Sequence, residues 1–505
     1  MESDGLQKTS YFYLFKQRKN YMKHYSGTFF LILMLLKFPS LAVIQLPALV
    51  SDHMVLQQKS TVNIWGKARP GETIEVTASW NDIRYQTTAN PDSTWLIPLQ
   101  TSEAGGPFTL QIKGENTITL SDILLGEVWL CSGQSNMEKP VGIQPGQKPV
   151  FNYEEEIAHA NYPFLRFFHV PRKMVPDVQT DVESTWQRCT PQSIDSLKFS
   201  AAGYFFGRRL HQALDVPIGL LDATWGGTRI EAWTSVEGFK KVPSLDTINR
   251  MLESGNLSVE KHAPTLLYNG MIAPLTHFSI KGCIWYQGES NLMDVNNGLA
   301  YEDRMKALIY GWRETWQNEK LPFYYVQIAP YRYFGDRPDR VQSADELPLI
   351  WEAQTRSLAI PHTGMIVITD LVDDLSDIHP RNKQDVGLRL ANLALNKTYG
   401  KKDIVCQGPL FRSMEIRKNK AILAFDSVDK GLRAKAGKQL TFFTIAGEDR
   451  IFVPARAYIR NNRVVVWNRE VKKPVAVRFA WDEEAQPNLF NAAGLPAVPF
   501  RTDSW

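Results

Sequence analysis

From about residue 123 to residue 400, short apolar runs alternate with amphipathic stretches of helical period. This rhythm restricts the chain to a parallel sheet covered by helices on both faces, an α/β fold. Residues 124–130, 218–223, 280–284, 323–328 and 365–369 read as buried strands, and residues 201–211, 301–316 and 384–396 as helices. Residues 43–122 and 401–505 differ. They carry short period-two runs such as Phe108-Thr109-Leu110-Gln111-Ile112, separated by turn signals such as Pro70-Gly71. The expected organisation is an N-terminal β-sandwich module over 43–122, an α/β domain over 123–400 and a C-terminal β module over 401–505.

Residues 1–42 stand apart. Met22-Lys23-His24, the apolar run 29–36 and Ser40-Leu41-Ala42 form the basic, apolar and small-residue zones of a secretory signal, with Met22 as the expected start and 1–21 as an upstream extension. The apolar run is short for a spanning helix, and an N-terminal membrane anchor is the competing reading. The expectation is export to the periplasm or the cell exterior, with no stable membrane association after signal removal. Without this segment the chain loses six Lys/Arg and two acids, and its formal net charge of +4 falls to zero. A neutral chain with no basic stripe lacks the charge that nucleic acid binding requires. Cys131, Cys189, Cys283 and Cys406 show no CxxC spacing, and no His/Cys cluster has ligand spacing, so neither a metal nor a cofactor is expected. The 14 tryptophans lean toward a carbohydrate partner, although indole is equally a core side chain.

Chemistry concentrates where the strands end. The run 124–130 is followed by Ser132-Gly133-Gln134-Ser135-Asn136-Met137, and the run 280–284 by Trp285-Tyr286-Gln287-Gly288-Glu289-Ser290-Asn291. The carboxyl edge of a parallel sheet is where such folds bind ligands. One turn offers a hydroxyl nucleophile and the other amide donors, a combination that suits acyl transfer. A third strand end supplies Trp225-Gly226-Gly227-Thr228, whose bare backbone N–H groups can approach an anion. Serine needs a base, and His379 in Asp377-Ile378-His379-Pro380 follows another strand of the same sheet.

The chain resembles the SGNH (GDSL-like) esterase superfamily, and within it the sialate O-acetylesterase family. The resemblance rests on Ser51-Asp52-His53-Met54-Val55-Leu56-Gln57-Gln58, Gly126-Glu127-Val128-Trp129 leading into Ser132–Met137, Trp225–Trp233, Trp285–Asn291, Asp377-Ile378-His379-Pro380-Arg381-Asn382-Lys383 and Gly494-Leu495-Pro496-Ala497, in that order along the chain. It implies a flavodoxin-like three-layer domain that removes O-acetyl groups from sialic acid without a metal or cofactor. Ser135 matches the nucleophile, His379 the base, and Gly227 the glycine whose N–H joins that of Ser135 in the oxyanion hole. Gln287, with Asn291 second, matches the side-chain donor. The superfamily's Asp-x-x-His block is altered, because Ser376 stands three residues before His379. Either Asp377 orients the imidazole from two residues away, or a backbone carbonyl or another acid such as Asp374 does so. Arg229 is a candidate partner for a sialate carboxylate, as a guanidinium pairs well with that group. An esterase of the same fold acting on acetylated xylan or another glycan, and a non-catalytic carbohydrate-binding protein, are the alternatives.

Overall fold

The strand Thr117–Gly133 organises the molecule. In the computed structural model, which describes residues 43–255, 258–293, 298–437 and 439–505, its first half alternates exposed and buried side chains and pairs antiparallel with Gly105–Lys113. Residues 123–133 are buried throughout, and this half pairs in parallel with Ile218–Thr224 on one side and Gly282–Tyr286 on the other. Asp122, with φ 55°, marks the change between the two halves. The expected boundary at 122/123 therefore falls inside one strand, and a single hydrophobic core extends from Ile44 through Leu395. Pairing continues because only Ser121 and Asp122 separate the alternating run from the apolar run, too few residues to form a linker. The expected signal, residues 1–42, lies outside the described residues. No described helix is long and apolar enough to cross a membrane.

The sheet order is Thr363–Ile366, Phe323–Val326, Gly282–Tyr286, Thr117–Gly133, Ile218–Thr224, Tyr162–His169 and Trp186–Cys189. Neighbours in this order are parallel, apart from the antiparallel edge strand Trp186–Cys189. The sheet is mixed, since Gly105–Lys113 also joins it antiparallel. Helices lie against both faces. Trp129 pairs in register with Gly282, and Trp285 with Ser132. A three-residue offset puts the two indoles on opposite faces. Trp129 packs edge-on against Phe206 of the helix Ala201–Leu214, and Trp285 against Trp312 of the helix Tyr301–Thr315. Each burial of this size stabilises the sheet by about 3 kcal/mol. Trp95, Trp129, Trp186, Trp233, Trp285, Trp312 and Trp351 are all core residues, so for these the bland reading of the tryptophans holds.

Beyond residue 409 a second core forms from Leu423, Ile445, Val464, Val466, Val477 and Phe479. It is enclosed by a five-stranded sheet beginning at Leu410–Arg417 and a four-stranded sheet containing Phe443–Ala446 and Ala476–Phe479. Arg501 ties this part to the helix Glu346–Arg356 by bonding Glu352 at 2.8 Å.

Candidate active site

Glycine geometry fixes the turn that carries Ser135. Gly133 ends its strand at φ 140°, and a Cβ there would lie 2.2 Å from the Tyr286 carbonyl oxygen. Only glycine allows the chain to turn this closely against the neighbouring strand. Gln134 then donates its N–H to Tyr286 O at 3.0 Å, and Ser135 opens the short helix Ser135–Glu138. The Gly133 carbonyl accepts the Trp225 N–H at 3.1 Å, drawing the loop after Ile218–Thr224 across Ser135. A Cβ on Gly226 would sit 3.1 Å from Ser135 Cβ. Gly227 follows with φ 66°. Glu138 locks this loop by accepting the Gly226 N–H at 2.9 Å.

His379 arrives from the segment after Thr363–Ile366, and its Nε2 lies 2.9 Å from Ser135 Oγ. Two residues 244 positions apart thus meet at hydrogen-bond distance. Asn136, fully buried beside the serine, donates to Ile378 O at 2.9 Å and to Glu289 Oε1 at 2.6 Å, while its Oδ1 accepts from Lys383 Nζ at 2.8 Å. This side chain ties the loop of His379 to the turn of Ser135.

Burial and the nearby Lys383 and Lys139 ammonium groups push the His379 imidazole down to about 4, against an opposing pull from Asp377. Burial, reinforced by Lys139, lowers Lys383 to about 7. The imidazole is therefore neutral, and able to accept a proton, over the whole physiological range.

Asp377 Oδ1 accepts the backbone N–H of His379 at 2.9 Å, yet stands 3.8 Å from Nδ1, beyond hydrogen-bond length. Asp374 is engaged elsewhere, bonding Lys148 Nζ at 2.7 Å and the Ser376 hydroxyl at 2.6 Å.

The expected amide donors are both engaged within the protein. Gln287 is fully buried, and its Nε2 is directed at Asn291 Oδ1 (2.7 Å), Thr228 O (3.0 Å) and Gln134 Oε1 (3.1 Å), while its Oε1 accepts from Tyr301 at 2.6 Å. Asn291 Nδ2 donates to Glu231 at 2.8 Å, and its Oδ1 also accepts the Ile230 N–H at 3.0 Å. Both amides hold the floor beneath the glycine loop, and neither lines the cleft above Ser135. Arg229 does not line it either.

The cleft is open, has a volume of about 390 Å³, and contains Ser135, His379, Gly226 and Gly227. Its wall includes Trp225, which opens the glycine motif read from sequence, and Glu138, Arg172 and Lys261, which were missed. Glu138 had one signal, its position one helical turn after Ser135. Arg172 and Lys261 lie in irregular segments and had none. Among the described residues no group of three or more His, Cys, Asp or Glu is placed to hold a metal ion.

Comparisons with known proteins show the family to which the chain belongs. The family described as "Carbohydrate esterase, sialic acid-specific acetylesterase" matches residues 125–396, the stretch that contains Ser135 and His379. The sialate O-acetylesterase of Homo sapiens is 32% identical over 494 residues, covering 89% of this chain and 91% of that protein. That of Mus musculus is 31% identical over 516 residues, covering 89% and 93%. A carbohydrate acetylesterase from Xanthomonas citri has a similar structure, with a TM-score of 0.81 and 36% identity over 92% of this chain and all of that one. The chain belongs to the sialic acid-specific acetylesterase family of carbohydrate esterases and is a carboxylic ester hydrolase acting on O-acetylated carbohydrate.

Proposed function

We propose that the enzyme removes O-acetyl groups from sialic acid, with Ser135 as nucleophile and His379 as base. The 2.9 Å approach of His379 Nε2 to Ser135 Oγ carries this reading. His379 takes the hydroxyl proton as Oγ attacks the acetyl carbonyl, and the developing oxyanion faces the backbone N–H groups of Ser135 and Gly227. The protonated imidazole then delivers its proton to the departing sugar oxygen. Water, activated by the same imidazole, releases acetate and restores the serine. Asp377 steadies the base through its backbone.

The sheet order supports a flavodoxin-like SGNH domain. With Tyr162–His169 and Trp186–Cys189 set aside as edge additions, the five remaining parallel strands run 2-1-3-4-5 in chain order. Residues 22–42 support an exported enzyme. A second reading, action on another acetylated glycan, is favoured by the structural similarity to the Xanthomonas citri carbohydrate acetylesterase.

Acetate release from O-acetylated sialic acid, acetylated xylan and other acetylated sugars separates the two. The proposal expects the sialate ester to give the highest kcat/KM. A preference of tenfold or more for a neutral acetyl glycan would overturn it.

A further inference from the structure

Among the described residues, the wall of the cleft next to the glycine loop carries more positive than negative charge. Glu138 uses one carboxylate oxygen for the Gly226 N–H and the other for the Arg172 guanidinium, so these two side chains neutralise each other. Lys261 is the remaining cation among the described residues of the wall. Its Nζ lies 5.8 Å from the centre of the Trp225 ring, opposite no acid within ion-pair distance among the described residues. It also overhangs the oxyanion loop, since a Cβ placed on Gly227 would be 3.1 Å from Nζ. Partial burial lowers its basicity, with Glu138 opposing that shift and Arg172 adding to it. An ammonium half-removed from water, next to a ring and with no acid at ion-pair distance among the described residues, gains most from an anionic oxygen brought by the substrate.

We infer that Lys261 is the specificity-determining residue of this esterase, binding a carboxylate on the acetylated sugar against the Trp225 face. The inference rests on the proposed Ser135 site and narrows its substrates to acidic sugars. It also replaces Arg229, which lies outside the cleft, in that role. Because Lys261 sits over Gly227, the carboxylate it holds is close to the reacting ester. A carboxylate anchored there positions the sugar ring, and its loss acts mainly on KM.

The test compares each acid with its own methyl ester, following acetate release in both cases. Two pairs are used, an O-acetylated sialic acid and an O-acetylated hexuronic acid. Wild-type enzyme is expected to favour the free acid by about ten- to a hundredfold in kcat/KM, the range of a charge-assisted hydrogen bond. That ratio is expected to fall toward one in Lys261→Met and to survive largely in Lys261→Arg. If the sialate pair is inert while the hexuronate pair shows this pattern, the sialate reading fails and the role of Lys261 stands. If acid and methyl ester are hydrolysed equally by the wild type, or if Lys261→Met keeps the wild-type ratio, the inference is overturned. It is also overturned if neither acid is a substrate while a neutral acetyl sugar is.

Discussion

Asp377 holds His379 by its backbone, accepting the residue's own N–H at 2.9 Å while standing 3.8 Å from the ring nitrogen it would be expected to orient. The carboxylate anchors the loop more firmly than it anchors the imidazole. Replacing Asp377 by Asn keeps an oxygen for the backbone contact and removes only the charge. On an aryl acetate, kcat/KM of Asp377→Asn is expected to fall about ten- to a hundredfold, well short of the roughly 10⁴-fold loss seen when a hydrogen-bonded triad acid is neutralised. A loss of the larger size in a normally folded variant would show that the ring contact closes during catalysis.

The charged groups under the site make a pH prediction. As the proposed base, His379 must be neutral to accept a proton, and protonation is favoured as pH falls. Burial and the Lys383 and Lys139 ammonium groups disfavour the imidazolium, which puts the acid limb of kcat/KM at about pH 4, below the ordinary histidine value of 6.5. Lys383→Met removes one of these cations. The limb is expected to move upward by about one pH unit. A pH–rate profile that stays in place or moves downward would contradict this electrostatic account.

Gln287 gives a prediction about stability. Its amide joins Thr228, Gln134, Asn291 and Tyr301 in one buried network. Truncation to alanine strands several of these groups, at about 1–3 kcal/mol for each left unsatisfied. Urea unfolding of Gln287→Ala is expected to show a loss of about 2–4 kcal/mol. Its folded fraction is expected to keep more activity than the roughly 10²–10³-fold loss that removal of an oxyanion donor brings. A large kcat defect with unchanged stability would return Gln287 to the oxyanion hole.

Much of the site was legible because its parts are local. Apolar runs ending in Ser135, in Gly226-Gly227 and ahead of His379 announce themselves in a parallel sheet, whose strand ends must lie along one edge. The direction of an amide is not local. Gln287 and Asn291 have suitable chemistry at a suitable strand end, but their orientation is set by Tyr301, Glu231 and Thr228, which come from other parts of the chain. Arg172 and Lys261 escaped notice for a related reason, since irregular segments carry no periodicity from which to infer what they face. The continuity of strand across the expected N-terminal boundary was not legible, because strand pairing does not require a domain to end where the alternation pattern does. Thr117–Gly133 passes from antiparallel to parallel pairing with only the turn of Asp122 to mark the change.

The central claim is that Ser135 is the nucleophile poised against His379. Its most direct test is acetate release by purified wild-type and Ser135→Ala enzyme from the same O-acetylated sugar, with folding of the variant checked by its melting temperature. The account predicts a kcat/KM at least about 10³-fold lower for the variant, as expected when a covalent nucleophile is removed. Activity within tenfold of the wild type would contradict it.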